Sequence, residues 1–130
     1  MSTVLLDTHV LQWWKAEPER VSARAAEVLE AATELAVSSI TWWELGWLAA
    51  HDRISINVPL RTWLGRMQEG IRTVSVTSAI AATAVELPTR LPADPADRLI
   101  YATAVEHGWP LVTKDRRLRG TDRSTSAAIW

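Results

Sequence analysis

The sequence predicts an α/β domain with a mainly parallel sheet. Short runs rich in Val, Leu, Ile and Thr alternate with longer segments of helical periodicity, the order that builds parallel strands joined by right-handed crossovers. The 130 residues are 48% hydrophobic and 22% charged, as is ordinary for a globular domain. No long linker, repeat or low-complexity tract divides the chain, so we expect one domain over residues 1–130.

Each predicted strand is a short apolar or β-branched run. Such runs are typical of strands that are buried on both faces of a sheet, as parallel strands usually are. The expected strands are residues 3–6, 35–38, 73–76, 109–113 and 127–130.

The predicted helices lie between these strands and are marked by caps, breakers and apolar faces. The last helix is the most clearly bounded, since Asp94 suits the N-cap, Pro95 the first helical position and Gly108 the C-terminal stop. For the helix near Glu44, either Ser39 or Thr41 is the expected cap. With their caps, the expected helices are residues 9–15, 22–32, 39–50, 60–68, 78–86 and 94–108.

The composition excludes several classes of protein. The chain has no cysteine, which excludes disulfides, cysteine nucleophiles and thiolate metal sites. No apolar run approaches the ~20 residues of a membrane span, and the first residues lack the features of a signal peptide. We therefore expect a cytoplasmic protein with no membrane association. With a net charge of −1, a polyanion would have to be held by a local basic patch or a cation.

Carboxylates follow the predicted strands. Asp7 ends the first strand, Asp115 ends the fourth, and Glu44 lies in the first turns of the helix after the second. Ligand sites in open α/β sheets lie outside the carboxyl ends of the strands, so these acids should share one edge, and Asp97 joins them if its helix begins there. Acids crowded together repel one another, and a divalent cation removes that conflict. Oxygen ligands alone favour Mg²⁺ or Mn²⁺.

Each acid also has a simpler interpretation. Asp7 and Asp94 can be helix caps, Asp115 a turn residue and Glu44 a first-turn acid favoured by the helix dipole. Taken singly, these interpretations are at least as good as a metal ligand. Because several elements each place an acid at the same edge of the sheet, a metal site is the better interpretation of the four acids taken together.

Four motifs, in this order, resemble those of the PIN-domain ribonucleases, and in particular the VapC-type toxins of bacterial type II toxin–antitoxin pairs. They are DTH at 7–9, SITWWE at 39–44, DPADRLIYATA at 94–104 and LVTKD at 111–115. The resemblance covers nearly the whole chain. It implies a PIN-like three-layer α/β/α sandwich with a central sheet of four to five strands. It also implies a Mg²⁺-dependent endoribonuclease that hydrolyses RNA phosphodiesters with metal-activated water, with Mn²⁺ as a substitute metal.

The resemblance also implies roles for individual residues. The catalytic metal ligands would be four acids, namely Asp7, Glu44, Asp97 and Asp115. Hydroxyls from Thr113 and Thr8 would support the site, and Asp94 would assist as the cap of its helix.

Basic residues cluster around the last two motifs. The functional interpretation is a local patch that holds RNA phosphates, and the alternative is a solvated charged loop. The expected phosphate contacts are Arg98, Lys114, Arg116 and Arg117, with Arg119 nearby.

The eight tryptophans are more than one small core needs. Trp63 and Trp109 are expected in packing, whereas several others should lie in an exposed apolar groove. The resemblance supplies the partner, a VapB-type antitoxin whose C-terminal segment would lie in that groove, and a homodimer face is the competing use. The expected surface residues are Trp13, Trp14, Trp43 and Trp47.

Two other functions remain open at this point. A receiver-type signalling domain is also a small α/β fold with acids at its sheet edge, but it would need a phospho-accepting Asp after the third strand, where this chain has Thr77 and Ser78. A PIN-like module that binds RNA or a partner without cleaving is the second alternative.

Overall fold

The computed structural model describes residues 2–118 and 128–130 of the chain. The strands are β1 (Thr3–Leu6), β2 (Glu34–Ser38), β3 (Arg72–Val74), β4 (Leu111–Val112) and β5 (Ala128–Ile129). They form one five-stranded sheet in the order β3-β2-β1-β4-β5, and every neighbouring pair is parallel. The predicted sheet is therefore confirmed. Residue 127, which the sequence analysis included in the last strand, lies outside the described residues.

Helices occupy the predicted places, with ends that shift by one or two residues. They are α1 (Thr8–Ala16), α2 (Ala23–Ala31), α3 (Ile40–Ala50), α4 (Leu60–Met67), α5 (Ser78–Glu86) and α6 (Pro95–His107). A single 3₁₀ turn, Pro18–Arg20, follows α1. In the described part of the chain, no helix is long and apolar enough to cross a membrane.

Two apolar clusters cover the two faces of the sheet. Along β1 the side chains alternate, so Leu5 packs into one cluster while Val4 and Leu6 pack into the other. The first cluster contains the buried apolar residues of α5 and those of α6 from position 100 to position 104, including Tyr101. The second contains those of α1, α2 and α4, together with Leu45 of α3. The result is the expected three-layer α/β/α sandwich.

The strand order reverses at the centre of the sheet. β1 is the central strand: β2 and β3 lie on one side of it, and β4 and β5 lie on the other. Ligands in such sheets bind at this switch point, outside the carboxyl ends of the central strands. Receiver-type domains have the order 2-1-3-4-5, which would place β3 beside β1. Here β3 is the edge strand beside β2, so the receiver alternative is wrong.

Hydrogen bonds from Ser39 explain why β3 ends at Val74 rather than at Val76. The Ser39 N–H donates to the Val74 carbonyl at 2.8 Å, and the Ser39 hydroxyl accepts from the Val76 N–H at 3.3 Å. These bonds turn the chain away from the sheet. The Ser39 side chain is thereby used elsewhere and does not cap α3, and Thr41 lies inside that helix. Ser39 thus occupies the N-cap position of α3, as predicted, but its side chain makes no capping hydrogen bond.

The cap of α6 is as predicted. The Asp94 carboxylate accepts from the N–H groups of Ala96 at 2.9 Å and Asp97 at 3.2 Å. Pro95 occupies the first helical position, and Gly108 ends the helix in the left-handed conformation at φ 68°. This cap fixes the direction in which the first turn of α6 meets the sheet edge.

Candidate active site

A cavity of about 240 Å³ opens at the carboxyl edge of the sheet. Five acids line it, each held by a different local feature: Asp7 caps α1, Glu44 lies on α3, Asp94 caps α6, Asp97 lies in the first turn of α6, and Asp115 follows β4. The structure thus brings together the acids that the sequence places at one edge. We call this space the acidic cavity.

Asp7 is the most buried of these acids, with 8% of its surface exposed. Its carboxylate accepts from the Thr8 N–H at 2.8 Å and from the Thr113 hydroxyl at 2.8 Å. Burial raises the pKa of Asp7, and the hydrogen bonds from Thr113 and Thr8 oppose that rise. Thr113 therefore holds the central acid across the junction between β1 and β4.

Glu44 is held by the hydroxyl of Thr8, which donates to its carboxylate. The same hydroxyl lies 3.0 Å from the hydroxyl of Thr41, one turn before Glu44 on α3. Burial raises the pKa of Glu44, whereas the Thr8 hydrogen bond lowers it. The hydroxyls of the two supporting threonines predicted from the sequence thus donate to different acids, that of Thr8 to Glu44 and that of Thr113 to Asp7.

The pKa of Asp97 is raised as well. Burial, followed by the negative charges of Asp7, Asp94, Glu44 and Asp115, raises its pKa from 3.8 to about 7. The charge conflict expected from crowded carboxylates therefore adds to the effect of burial at Asp97.

Asp115 is paired with the guanidinium of Arg117. Nε of Arg117 lies 3.1 Å from one oxygen of the carboxylate and Nη2 lies 2.9 Å from the other, in a bidentate arrangement. The main-chain N–H of Arg117 also donates to Asp115, at 2.9 Å. The side-chain hydrogen bond to Asp115 and the charge of that carboxylate raise the pKa of Arg117. Among residues 2–118 and 128–130, no group of three or more Asp, Glu or His side chains is arranged to enclose a metal ion.

Comparison with known proteins identifies the family. A PIN-domain model matches residues 4–124. Ribonuclease VapC22 of Mycobacterium tuberculosis is 55% identical over 130 residues, which are all of this chain and all of that protein. The chain belongs to the PIN-domain family, and within it to the VapC type. The resemblance found in the sequence is confirmed.

Solved structures agree with this PIN fold. A toxin–antitoxin complex from Klebsiella pneumoniae matches at a TM-score of 0.70 with 22% identity, over 98% of this chain and 96% of that one. DNA-bound VapBC from Salmonella typhimurium matches at a TM-score of 0.69 with 19% identity, over 98% and 97% of the two chains. At these identities the likeness shows the shared fold.

Arg98 of this PIN domain does not lie where the sequence analysis expected it. Its guanidinium donates to four main-chain carbonyls, those of Ala84, Leu87, Pro88 and Pro92, at 2.7–3.5 Å. Its donors are therefore used to fasten the loop between α5 and α6 onto α6. Arg98 therefore stabilises this loop, and its predicted role as a phosphate contact is wrong.

The other predicted cations differ in position. Lys114 and Arg117 line the acidic cavity, whereas Arg116 is exposed and does not line it. Arg119 lies outside the described residues. Only two of the expected phosphate contacts are therefore placed beside the acids.

The four tryptophans assigned to a partner surface divide into two pairs. Trp13 is buried in the second apolar cluster, with 9% exposure, and Trp14 is half-buried against the same cluster. Their assignment to an exposed groove is wrong for Trp13, because α1 turns that side chain onto the core. Trp43 and Trp47 are exposed, at 63% and 41%. They line a pocket of about 410 Å³ together with Glu44, at the border of the acidic cavity.

Sequence reasoning missed two residues of this site. Thr41 was considered only as a cap, yet its spacing three residues before Glu44 places both on one face of α3, which was the available signal. His9, the last residue of the DTH motif, stacks on Trp13 with ring centroids 6.0 Å apart, but it is exposed and also lines the acidic cavity.

Proposed function

We propose that this PIN domain is a Mg²⁺-dependent endoribonuclease that acts as the toxin of a toxin–antitoxin pair. The observation that carries the proposal is the acidic cavity, in which Asp7, Glu44, Asp97 and Asp115 meet at the switch point of the sheet. Burial, and then the charges of the neighbouring acids, raise the pKa of Asp97 there to about 7. The relative that is 55% identical is named a ribonuclease, which supports the reaction class.

The donor chemistry fits Mg²⁺, with Mn²⁺ as a substitute. The cavity offers several carboxylates, hard oxygen ligands that such ions prefer. Mg²⁺ usually keeps several waters and binds proteins through one or two carboxylates, so a closed cage of three side chains is not needed. When bound, the ion would neutralise the acids, polarise the phosphate and activate a water for attack. We assign Asp7, Glu44, Asp97 and Asp115 as its ligands.

The chain itself supplies positioning and charge. Thr113 and Thr8 hold the carboxylates of Asp7 and Glu44 in fixed orientations, at the contacts described above. Asp94 fixes the first turn of α6 and thereby the position of Asp97. Lys114 and Arg117 line the same cavity and would bind the phosphate backbone, for which Arg117 must exchange its pairing with Asp115.

The exposed pair Trp43 and Trp47 is the proposed surface for a VapB-type antitoxin. Large exposed aromatic side chains are favoured anchors of protein interfaces, and this pair borders the cavity through Glu44 and Asp94. A segment bound there would cover the entrance to the acids. A homodimer face is the competing use, and self-association stays a prediction that sedimentation of the isolated chain would test.

A cleavage assay with a matched control tests the enzymatic proposal. The purified chain, free of any antitoxin, is incubated with total RNA in Mg²⁺ and in EDTA, and the RNA ends are sequenced. We expect recurrent cut sites in Mg²⁺ alone and their loss in Asp7→Asn. Asp52→Asn is the control, because it removes the same charge at an exposed position. Asp52 has a left-handed backbone conformation, with φ 57°, which asparagine also tolerates.

Two results would contradict the proposal. If Asp7→Asn cleaves as fast as the parent, the acids are not the catalytic site. If the parent binds RNA in Mg²⁺ but leaves every molecule intact, the chain is the binding module that the sequence left as an alternative.

A further inference from the structure

A second pocket adjoins the acidic cavity and differs from it in charge. It measures about 430 Å³ and lies between α1, the turn Pro18–Arg20 and the end of α3. His9 and Trp13 line both spaces, so the two are parts of one groove. The polar residues that line it are His9, Gln12, Arg20 and Arg53. We call it the basic pocket.

The basic pocket carries two guanidinium groups, and none of its described lining residues is an acid. Glu17 lies nearby, 3.8 Å from the Arg20 guanidinium, and accepts from the Gln12 amide at 3.4 Å. Both side chains of the ion pair are largely exposed, and such pairs contribute little to stability. A more highly charged anion can therefore displace Glu17 from Arg20.

The ring of Trp13 gives Arg20 a fixed support. The guanidinium lies over this ring, 4.7 Å from its centroid, and the ring is itself anchored in the core beside Trp130 at 5.8 Å. The Lys114 ammonium lies over the same ring at 5.6 Å. One buried tryptophan thus holds a cation of the basic pocket and a cation of the acidic cavity.

Arg53 reaches the pocket from the turn that ends α3. Its N–H donates to the Leu48 carbonyl at 2.8 Å, and the N–H of Ile54 donates to the same carbonyl at 3.3 Å. The preceding residue, Asp52, has a positive φ of 57°, which sets the sharpness of the turn. Within the described residues, the Arg53 guanidinium makes no hydrogen bond or ion pair.

We propose that the basic pocket binds a phosphate group of the RNA strand that flanks the bond to be cleaved. This inference rests on the proposed ribonuclease function and adds a binding site to it. The acids repel a polyanion as it approaches, and cations placed beside them along the groove offset that repulsion. Guanidinium groups match the geometry of phosphate oxygens with two parallel hydrogen bonds. Such a pocket would bind RNA without sequence preference, because the phosphate groups are the same for every base.

Salt-dependent binding tests the pocket separately from catalysis. A labelled single-stranded RNA is titrated with the whole chain in EDTA, over a series of salt concentrations, by fluorescence anisotropy. For single strands, each lost phosphate contact reduces the slope of log affinity against log salt by about 0.7. We expect this change, and roughly tenfold weaker binding at low salt, in Arg53→Gln and in Arg20→Gln. Arg66→Gln, on the exposed side of α4, is the control and should bind as the parent does.

Substrate length provides the kinetic arm of the test, in Mg²⁺. A dinucleotide has a single phosphodiester, which must occupy the acidic cavity, so Arg53→Gln should leave its cleavage unchanged. With a longer RNA, the same variant should raise KM by roughly tenfold and leave kcat near that of the parent. Arg53→Lys should bind RNA more tightly than Arg53→Gln but less tightly than the parent, because lysine keeps the positive charge and lacks the paired N–H donors of the guanidinium.

The possible outcomes separate the two proposals. If the parent cleaves RNA and both arginine variants match Arg66→Gln in affinity and slope, the basic pocket does not bind RNA. If the variants lose affinity for an aspartate-rich peptide and keep it for RNA, the pocket is a site for an acidic protein segment, and the inference is overturned. If the parent cleaves no RNA, the ribonuclease proposal fails, while the salt slopes still decide whether the pocket binds phosphate.

Discussion

Replacing Asp97 by Asn should stabilise the metal-free protein while removing its activity. The pKa of Asp97 rises from 3.8 to about 7 on folding, mainly through burial and then through the charges of Asp7, Asp94, Glu44 and Asp115. Between these two values the native state binds more protons than the unfolded state. Stability therefore falls as pH rises through this window, and the loss is complete above about pH 7.

The size of the effect follows from the pKa. The rise from 3.8 to about 7 sets an upper bound of about 4 kcal/mol on the destabilisation by the charged Asp97. Asp97 is only partly buried, and solvent screens the repulsion, so we expect about 1–2 kcal/mol. For a domain of this length, that gain raises Tm by roughly 4–8 °C.

Thermal unfolding in EDTA, followed by circular dichroism, measures this gain. The difference in Tm between Asp97→Asn and the parent should be largest near about pH 8 and should disappear below about pH 3, where Asp97 is protonated in both the native and the unfolded state. Asp52→Asn, which removes a charge far from the cavity, controls for net charge. An Asp97→Asn variant that melts at or below the Tm of the parent near pH 8 would refute the charge conflict at this residue.

Four further predictions concern the side chains around the site. Thr113→Val should lower the free energy of unfolding in urea by about 1–3 kcal/mol and slow RNA cleavage, because the buried Asp7 loses a hydrogen-bond donor. Unchanged stability and cleavage would show that Thr113 does not support Asp7. Arg98→Ala should cost about 2–3 kcal/mol, because four carbonyls lose their donor, and should leave the salt slope of RNA binding unchanged. Trp13→Ala should cost about 3–5 kcal/mol. Trp43→Ala should change stability by less than about 0.5 kcal/mol but weaken antitoxin binding in calorimetry, and tight binding by that variant would exclude this surface.

Local signals in the sequence were sufficient for the sheet and for the convergence of the acids. The run before Asp7 and the run before Asp115 mark two strand ends, and parallel strands bring such ends to one edge. The cap of α6 was equally local, because Asp94, Pro95 and Gly108 each act within a turn of their own position.

Long-range contacts decided the features that sequence reasoning missed. Arg98 stands next to Asp97 in the sequence, but α6 points its side chain toward the loop carbonyls. Trp13 is aromatic and belongs to a Trp-rich stretch, and only the packing of α1 on the sheet determines that it is buried. The neighbours of Arg20 in the groove come from α1 and α3, which no local pattern joins.

The bond between Thr113 and Asp7 has a consequence for the timing of synthesis. It joins positions 106 residues apart, and it lies where β4 docks beside the first strand. A ribosome adds roughly 5–20 residues per second. Several seconds therefore pass between the synthesis of Asp7 and that of Thr113, which orients its carboxylate. During that interval the growing chain has no assembled acidic cavity, so the proposed RNA cleavage cannot begin. A partner already present in the cell therefore has time to engage the newly made surfaces before the site is complete.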